Sequence, residues 1–414
     1  MSKIKNFDLK FQLTNEFLRN GGIEKISSLN LLNDIINVKY DENLKPIEES
    51  VGSILRSFMT VILSEHMEDP IISDNFLPEF QSLLQKSYSF DQISIDTERE
   101  FDEIYKKFNS ANDILFRGQR EAKWRLYNTL QREWIDCRIN NTENNYKELV
   151  KKLVISGKDK YADEIKTILK SYDIDTLNDI SVLGYLQHHS CPTPLLDWTY
   201  SFKVALFFGI DNLEQNKDVK EIQNYFSVYY LEEENIDGCK ELISESLHSV
   251  GEKLKTKMLK KISKNKKQFN EMKEHFKDIP IFDKNKLKGS GMVKNMVEVE
   301  KLFTFDLLYF SDKNKDLGVL FSLENNNNIK NQKGVFMWNS TPLIPLETLG
   351  KNIYKELESD KNEGEYRFCR VININKKLEK YIRNCLNKES ITKETIYTEK
   401  ETNAWRIYEK SLKK

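Results

Sequence analysis

The chain has 414 residues, and its 64 basic and 65 acidic side chains leave a formal net charge of -1. This length predicts about two domains, or one domain with large insertions. The balanced charge excludes a global attraction to nucleic acid or to a membrane, so any such binding needs a local patch.

The cysteine pattern indicates the compartment. Five cysteines are scattered along the chain without C-x-x-C spacing, which disfavours a disulfide framework or a zinc site and favours a reducing environment. No run approaches about 18 apolar residues, and the first residues do not resemble a signal peptide. We therefore expect a cytoplasmic protein that has no membrane span.

The first part of the chain is predicted to be mainly helical. We assign residues 1–94 to a helical N-terminal region, in which the apolar side chains of residues 51–67 recur near one helical face. Residues 96–108 predict an amphipathic helix. The mostly apolar segment 113–116 predicts a buried strand that ends at Arg117. A second domain is therefore expected to begin at residue 95.

The second predicted domain covers residues 95–410 and interleaves helices with short strands. Residues 142–189 are predicted to be largely helical, and Pro192 and Pro194 then force an extended path. Further apolar segments predict helices at 201–210 and 378–386, and strands at 227–231, 335–338 and 366–372. This alternation predicts the α+β class.

A lysine-rich helical insertion is predicted at about residues 239–290. Within it, residues 252–277 carry ten lysines against three glutamates, together with apolar residues at helical spacing. Such a segment can bind nucleic acid or an acidic partner. The alternative is a solvated helix that packs its apolar stripe on the body of the protein.

The first motif is Phe116-Arg117-Gly118-Gln119. Arginine suits a bidentate grip on phosphate or carboxylate, and the following glycine allows a ligand to approach the backbone closely. In the alternative interpretation, Arg117 forms an internal salt bridge.

The second motif spans residues 186–209 and concentrates polar residues beside an apolar helix. His188 and His189 lie about 100° apart on a helix, so one can face a site while the other packs. Asp197 can orient a histidine or accept a hydrogen bond from Arg117. The alternative is that Asp197 and Trp198 fix a turn and that the histidines belong to the core.

These motifs resemble those of the FRG-domain family in order and spacing, from about residue 96 to residue 405. The matching segments are 116–119 (FRGQ), 123–126 (KWRL), 187–189 (QHH), 195–199 (LLDWT), 205–208 (ALFF) and 332–336 (QKGVF). The chain departs from the family pattern at Ser190, where glycine is usual, and at Pro194, where arginine is common. Residues 396–402 are a degraded form of a later block.

The arrangement is also distantly similar to ADP-ribosyltransferases of the Arg–Ser/Thr–Glu type. This similarity implies a split β-sheet core and NAD as substrate, with Arg117 holding the pyrophosphate and Thr199 or Ser201 supporting the site. A late carboxylate would stabilise an oxocarbenium-like transition state. Gln332 stands in the corresponding element, and Glu365, just before a predicted strand, is the alternative.

The resemblance implies two overlapping sets of site residues and no metal. The catalytic set is Arg117, His188, Asp197, Thr199, Gln332 and Glu365. The nucleotide-binding set is Phe116, Arg117, Gly118, Gln119, His189, Trp198 and Ser201. If both sets belong to one site, Arg117, Asp197, Gln332 and one of the two histidines converge on a single cleft.

The resemblance further implies an effector of bacterial conflict, such as phage defence or a toxin system, whose macromolecular acceptor the sequence does not identify. The alternative function is a non-catalytic module that binds a nucleotide, a nucleic acid or a partner protein. The lack of an assured late glutamate supports this alternative. A nuclease would need a metal-binding carboxylate cluster, which the sequence does not supply.

Overall fold

The computed structural model describes one part of the chain, and every described residue belongs to the unit Asp74–Lys414. The described residues are 77–109, 111, 113–139, 145–170, 177–213, 221–232, 266, 270, 298–311, 327–354, 366–397 and 404–412. Most of the predicted helical region 1–94, and the lysine-rich stretch 252–277 apart from Lys266 and Asn270, lie outside them.

Seven strands form one mixed sheet in the order β1-β7-β4-β2-β3-β6-β5, in which β1 and β7 are parallel and the other neighbours are antiparallel. The strands are β1 Asp91–Ile95, β2 Ile114–Gln119, β3 Leu195–Thr199, β4 Tyr225–Glu232, β5 Leu307–Phe310, β6 Gly334–Asn339 and β7 Arg370–Asn375. The predicted domain boundary at residue 95 falls at the end of β1. Helices and strands together confirm the α+β class.

Helices cover both faces of this sheet. They are α1 Leu83–Ser87, α2 Glu98–Asn109, α3 Thr129–Asp136, α4 Tyr146–Lys170, α5 Asp179–His188, α6 Phe202–Ile210, α7 Val299–Leu302, α8 Asn327–Gln332, α9 Leu346–Tyr354, α10 Glu379–Lys388, α11 Lys393–Ile396 and α12 Trp405–Leu412. Short 3-10 turns occupy Glu221–Asn224 and Lys376–Leu378. Among the described residues, no helix has both the length and the apolar character needed to cross a membrane.

Two hydrophobic cores lie on the two faces of the sheet, because successive side chains of a strand point to opposite sides. On β2, Leu115 belongs to the first core and Phe116 to the second. The first core contains side chains of α4 and α5, and the second contains those of α2, α6 and α10. The sheet is therefore the middle layer of the domain.

A buried ion pair fixes the segment that follows β2. The Arg125 guanidinium contacts the Glu347 carboxylate of α9 at 2.8 Å, and the main-chain N–H of Leu126 donates to the same carboxylate at 3.1 Å. Both charged side chains are almost fully buried. Removing one partner of such a pair leaves an uncompensated charge, so this contact gives Arg125 a structural role.

Strands β2 and β3 have the fewest paired positions of any neighbouring strands in the sheet. Among the described residues, β2 and β3 share one paired position, Phe116 opposite Thr199, whereas β2 and β4 share six. Toward the end of β2 and the start of β3, the two strands diverge. The sequence predicts a strand that ends at Arg117, but β2 continues through Gly118 to Gln119, because pairing with β4 holds it extended.

Gly118 sits where β2 meets helix α6. A Cβ atom at this position would lie 1.9 Å from the Ala205 main-chain oxygen and 2.7 Å from the Gly209 nitrogen. These are backbone atoms, which a small side-chain adjustment cannot move. The close approach of helix α6 therefore requires a glycine at this position.

We expect Gly118→Ala to lower the free energy of unfolding by about 1–3 kcal/mol or more, because α6 must move away from β2. Urea unfolding of the full chain measures this change. Gly334→Ala is the matched control, since its Cβ would approach the side-chain atom Ile329 Cγ2 at 3.2 Å and would meet no backbone atom closer than 3.5 Å. Equal losses in the two variants would contradict the close-contact explanation.

Candidate functional site

A cleft of about 960 Å³ opens at the divergence of β2 and β3, a volume typical of small-molecule sites. The strands β2, β3 and β6 and the helices α3, α5, α6, α8 and α11 contribute to its wall. Its lining includes Phe116, Arg117, Gly118, Gln119, Arg120, Trp124, Arg132, Gln187, His188, Asp197, Trp198, Thr199, Phe208, Asp211, Asn212, Gln332, Lys393 and Tyr397.

Most of the sequence-predicted site residues meet in this cleft, and the structure brings Arg117, His188, Asp197 and Gln332 together as expected. Phe116, Gly118, Gln119, Trp198 and Thr199 line the same cleft. Glu365 lies outside the described residues.

Two predicted nucleotide-binding residues do not line the cleft. His189 is buried, its ring centroid lies 4.2 Å from that of Tyr185, and its main-chain oxygen accepts from Ala404. His188 faces the cleft instead, as the 100° separation of neighbouring helical residues allows. Ser201 is the N-cap of α6, accepts from the Val204 N–H, and lines a second cavity of about 580 Å³.

Arg117 spans the gap between the diverging strands. Its Nη1 donates to the main-chain oxygen of Asp197 at 2.5 Å, so part of the guanidinium group is engaged within the fold. Burial lowers the pKa of Arg117 to about 10, while the Asp197 charge raises this pKa and the neighbouring Arg132 lowers it. Arg117 therefore connects β2 to β3 and also carries a positive charge close to Asp197.

Gln187 of α5 positions the Asp197 carboxylate. Its Nε2 donates to Asp197 Oδ2 at 2.8 Å, and its Oε1 accepts from the Thr193 hydroxyl at 2.5 Å. The Thr129 hydroxyl also donates to Oε1, at 3.3 Å. The two hydroxyl donors thus fix the position of the Gln187 side-chain oxygen. The side-chain amide nitrogen is then directed at the Asp197 carboxylate.

Thr199 and Gln332 already have partners within the fold. The Thr199 hydroxyl donates to the Gln332 main-chain oxygen at 2.6 Å and accepts from the Ser201 N–H at 2.9 Å. The Gln332 side chain donates to the Ile396 oxygen at 3.4 Å. These contacts join β3 to the ends of α8 and α11, so both residues stabilise the cleft wall.

The sequence motifs miss Arg132, which α3 places in the cleft. Burial lowers the pKa of Arg132, the Asp197 charge raises this pKa, and the nearby positive charge of Arg120 lowers it. Arg132 in turn lowers the pKa of Arg117. The capping box between Asn128 and Gln131 is visible in the sequence and predicts α3, but no sequence signal places its arginine beside β2.

Several polar atoms of the cleft residues are buried without a hydrogen bond. Native proteins satisfy the large majority of such atoms, so a group of exceptions in one cavity indicates a place for a ligand or ordered water. Within the described part of the chain, these atoms include Arg117 Nε, Gln119 Oε1, Arg132 Nε, Asp197 Oδ1 and Trp198 Nε1.

Metal ligation finds no support in the part of the chain that the structure describes. No group of three or more histidine, cysteine, aspartate or glutamate residues there is arranged to hold an ion.

Comparison with known proteins identifies one domain. The sequence model of the FRG domain matches residues 112–218, which confirms the family resemblance and covers the strands β2 and β3 with the helices between them. The cleft residues of β6, α8 and α11 follow after the matched range. No curated protein and no solved structure matches the chain.

We expect Asp197→Asn to lower the free energy of unfolding by about 1–3 kcal/mol, because Arg117 and Arg132 lose a compensating charge while the contact with Gln187 is kept. The loss should shrink at high ionic strength, where salt screens the repulsion. Urea unfolding at low and high salt measures both effects. Asp102→Asn, at an exposed carboxylate bonded to Tyr381, is the control. A loss that does not respond to salt would contradict the electrostatic explanation.

Proposed function

We propose that the FRG domain of this chain binds a nucleotide through its phosphate groups, in the cleft between β2 and β3. The observation that carries this proposal is the arginine cluster, which we define as Arg117, Arg120 and Arg132. Burial lowers the pKa of Arg117 and of Arg132, and a neighbouring arginine lowers each further. Arg132 acts on Arg117 and Arg120 acts on Arg132, so like charges lie close together in the cleft. Fixed repulsion of this kind is relieved when a polyanion binds.

The charges that line the cleft favour an anion. Its basic lining residues are the arginine cluster and Lys393, and its acidic lining residues are Asp197 and Asp211. Asp197 raises the pKa of both Arg117 and Arg132, and Asp136 and Glu133 also raise that of Arg132. Among the lining residues themselves, three arginines and one lysine stand against two aspartates. Phosphate oxygens suit the remaining guanidinium donors, since arginine binds phosphate in a planar, bidentate geometry.

NAD is the nucleotide that we propose, with ADP-ribosyl transfer as the reaction. The distant similarity to ADP-ribosyltransferases supports this choice, and so does the single paired position between β2 and β3, which leaves a gap like that of a split sheet. Transfer would break the bond between nicotinamide and ribose, and a carboxylate would stabilise the cationic transition state. Asp197 and Glu365 are the candidates for that carboxylate.

A non-catalytic nucleotide-binding module is the second candidate function. The observation that favours it is Gln332, an amide in the element where the transferases carry their acid, whose side chain donates to the Ile396 oxygen. In both cases we propose that the domain belongs to an effector of bacterial conflict, such as phage defence or a toxin system.

The first test is nucleotide affinity. We expect Arg132→Gln to weaken the binding of NAD and of ADP by about 10- to 100-fold, because a charged hydrogen-bond donor to phosphate is lost. Isothermal titration calorimetry on the full chain measures the dissociation constants. Arg99→Gln is the matched control, because Arg99 is exposed and pairs with Glu103 on α2. Unchanged affinity in Arg132→Gln, or no nucleotide binding by the unmodified chain, would refute the proposal.

The second test separates the enzyme from the binding module. A transferase releases nicotinamide from labelled NAD, with or without cell lysate as acceptor, and the rate should fall at least about 100-fold when its carboxylate becomes an amide. Asp197→Asn and Glu365→Gln identify which carboxylate acts, and Gln332→Ala tests the amide in its place. NAD binding without nicotinamide release would leave the binding module as the function.

A further inference from the structure

The part of the cleft formed by α6 and α11 differs in chemistry from the arginine cluster. Here the lining residues are Phe208, Asp211 and Asn212 at the end of α6, with Lys393 at the start of α11 and Tyr397 just after it. The ring centroids of Phe208 and Tyr397 lie 6.3 Å apart, and that of Phe207 lies 5.9 Å from Tyr397. Phe208 and Tyr397 are only partly buried, so this aromatic pair contributes surface to the cleft.

The charge of Asp211 is unusual for its position. Asp211 is the C-cap of α6, where the helix already carries partial negative charge, and an acidic side chain at this end is not favoured by the helix. The backbone of Asn212 then takes a positive φ of 53°. Both residues line the cleft, so this end of it offers carboxylate and amide oxygens as hydrogen-bond acceptors beside aromatic rings.

This aromatic and acidic part lies close to the arginine cluster. The backbone of Gly118, next to Arg117 on β2, is packed against Gly209, two residues before Asp211. Gly118 therefore lies between the arginine cluster and the part of the cleft formed by α6 and α11. A ligand with an anionic end and a flat, hydrogen-donating end can contact both.

We propose that Phe208, Tyr397 and Asp211 form a base subsite, which binds a nucleobase that carries N–H donors, such as adenine. The base stacks on the aromatic pair while its amino group donates to the Asp211 carboxylate, and the phosphates reach the arginine cluster. This inference rests on the proposed nucleotide binding. It goes further by assigning the orientation of the nucleotide and the chemical class of its base.

The experiment compares a ligand that has a base with one that lacks it. Calorimetry on the full chain measures dissociation constants for ADP and for inorganic pyrophosphate. We expect the unmodified chain to bind ADP more tightly than pyrophosphate. In Tyr397→Ala, ADP should bind about 5- to 100-fold more weakly, while pyrophosphate binding changes less than about twofold. Tyr397→Phe keeps the ring and should keep the affinity for ADP.

Two further variants complete the test. Asp211→Asn removes the charged acceptor without changing shape, and should also weaken ADP selectively. It serves as the main variant if Tyr397→Ala does not fold. Tyr381→Ala is the matched control, because Tyr381 lies on α10, does not line the cleft and donates a hydrogen bond to Asp102. It should leave both dissociation constants unchanged.

The outcomes distinguish this inference from the proposed function. If ADP and pyrophosphate bind equally well to the unmodified chain, or if Tyr397→Ala and Asp211→Asn leave ADP binding unchanged, the base subsite is refuted while phosphate binding stands. Equal weakening of both ligands also refutes it. If the unmodified chain binds neither ligand, the proposed nucleotide binding fails, and the base subsite fails with it.

Discussion

The hydrogen bond from Arg117 to the Asp197 main-chain oxygen joins two strands that otherwise diverge. The sheet is continuous there through one paired position, Phe116 opposite Thr199. A fully paired β2 and β3 would leave no space between them. The cleft exists because a side chain, and not a backbone ladder, connects the strands at this point. The positions of Arg117 and Asp197 and the shape of the cleft therefore depend on one another.

Buried charges elsewhere hold the surroundings of the cleft in place. Lys86 donates to the Ala122 oxygen, to the Ser227 hydroxyl and to the Asn373 side-chain oxygen, so that each ammonium proton has an acceptor. Burial lowers the pKa of this lysine well below its ordinary value. Together with the buried pair of Arg125 and Glu347, this network ties the segment after β2 to distant parts of the sheet. These contacts thus fix the C-terminal end of β2, which lines the cleft.

Part of this arrangement can be predicted from the sequence, and part cannot. The mixed class, helix α6 with its cap, and the separation of His188 from His189 follow from periodicity and local chemistry. Strand β1 is missed because an exposed edge strand with polar residues carries little alternation. Arg132 is missed because the contact between a residue of α3 and β2 arises only from tertiary packing. Arg117 and Gly118 are conspicuous in the sequence, but their contacts with Asp197 and α6 give them roles that residue type does not reveal.

The strand order has a consequence for how the chain acquires its structure. Strand β7 lies between β1 and β4, although more than half of the described chain separates it in sequence from β1. During synthesis on a ribosome, neither neighbour can pair with β7 until residues 370–375 have emerged, and such non-local pairing is slow. The segment 112–218 that matches the FRG domain likewise lacks β4, β6 and α11. A nascent or truncated chain of that length cannot close the cleft, so the site forms only when translation of the domain is almost finished.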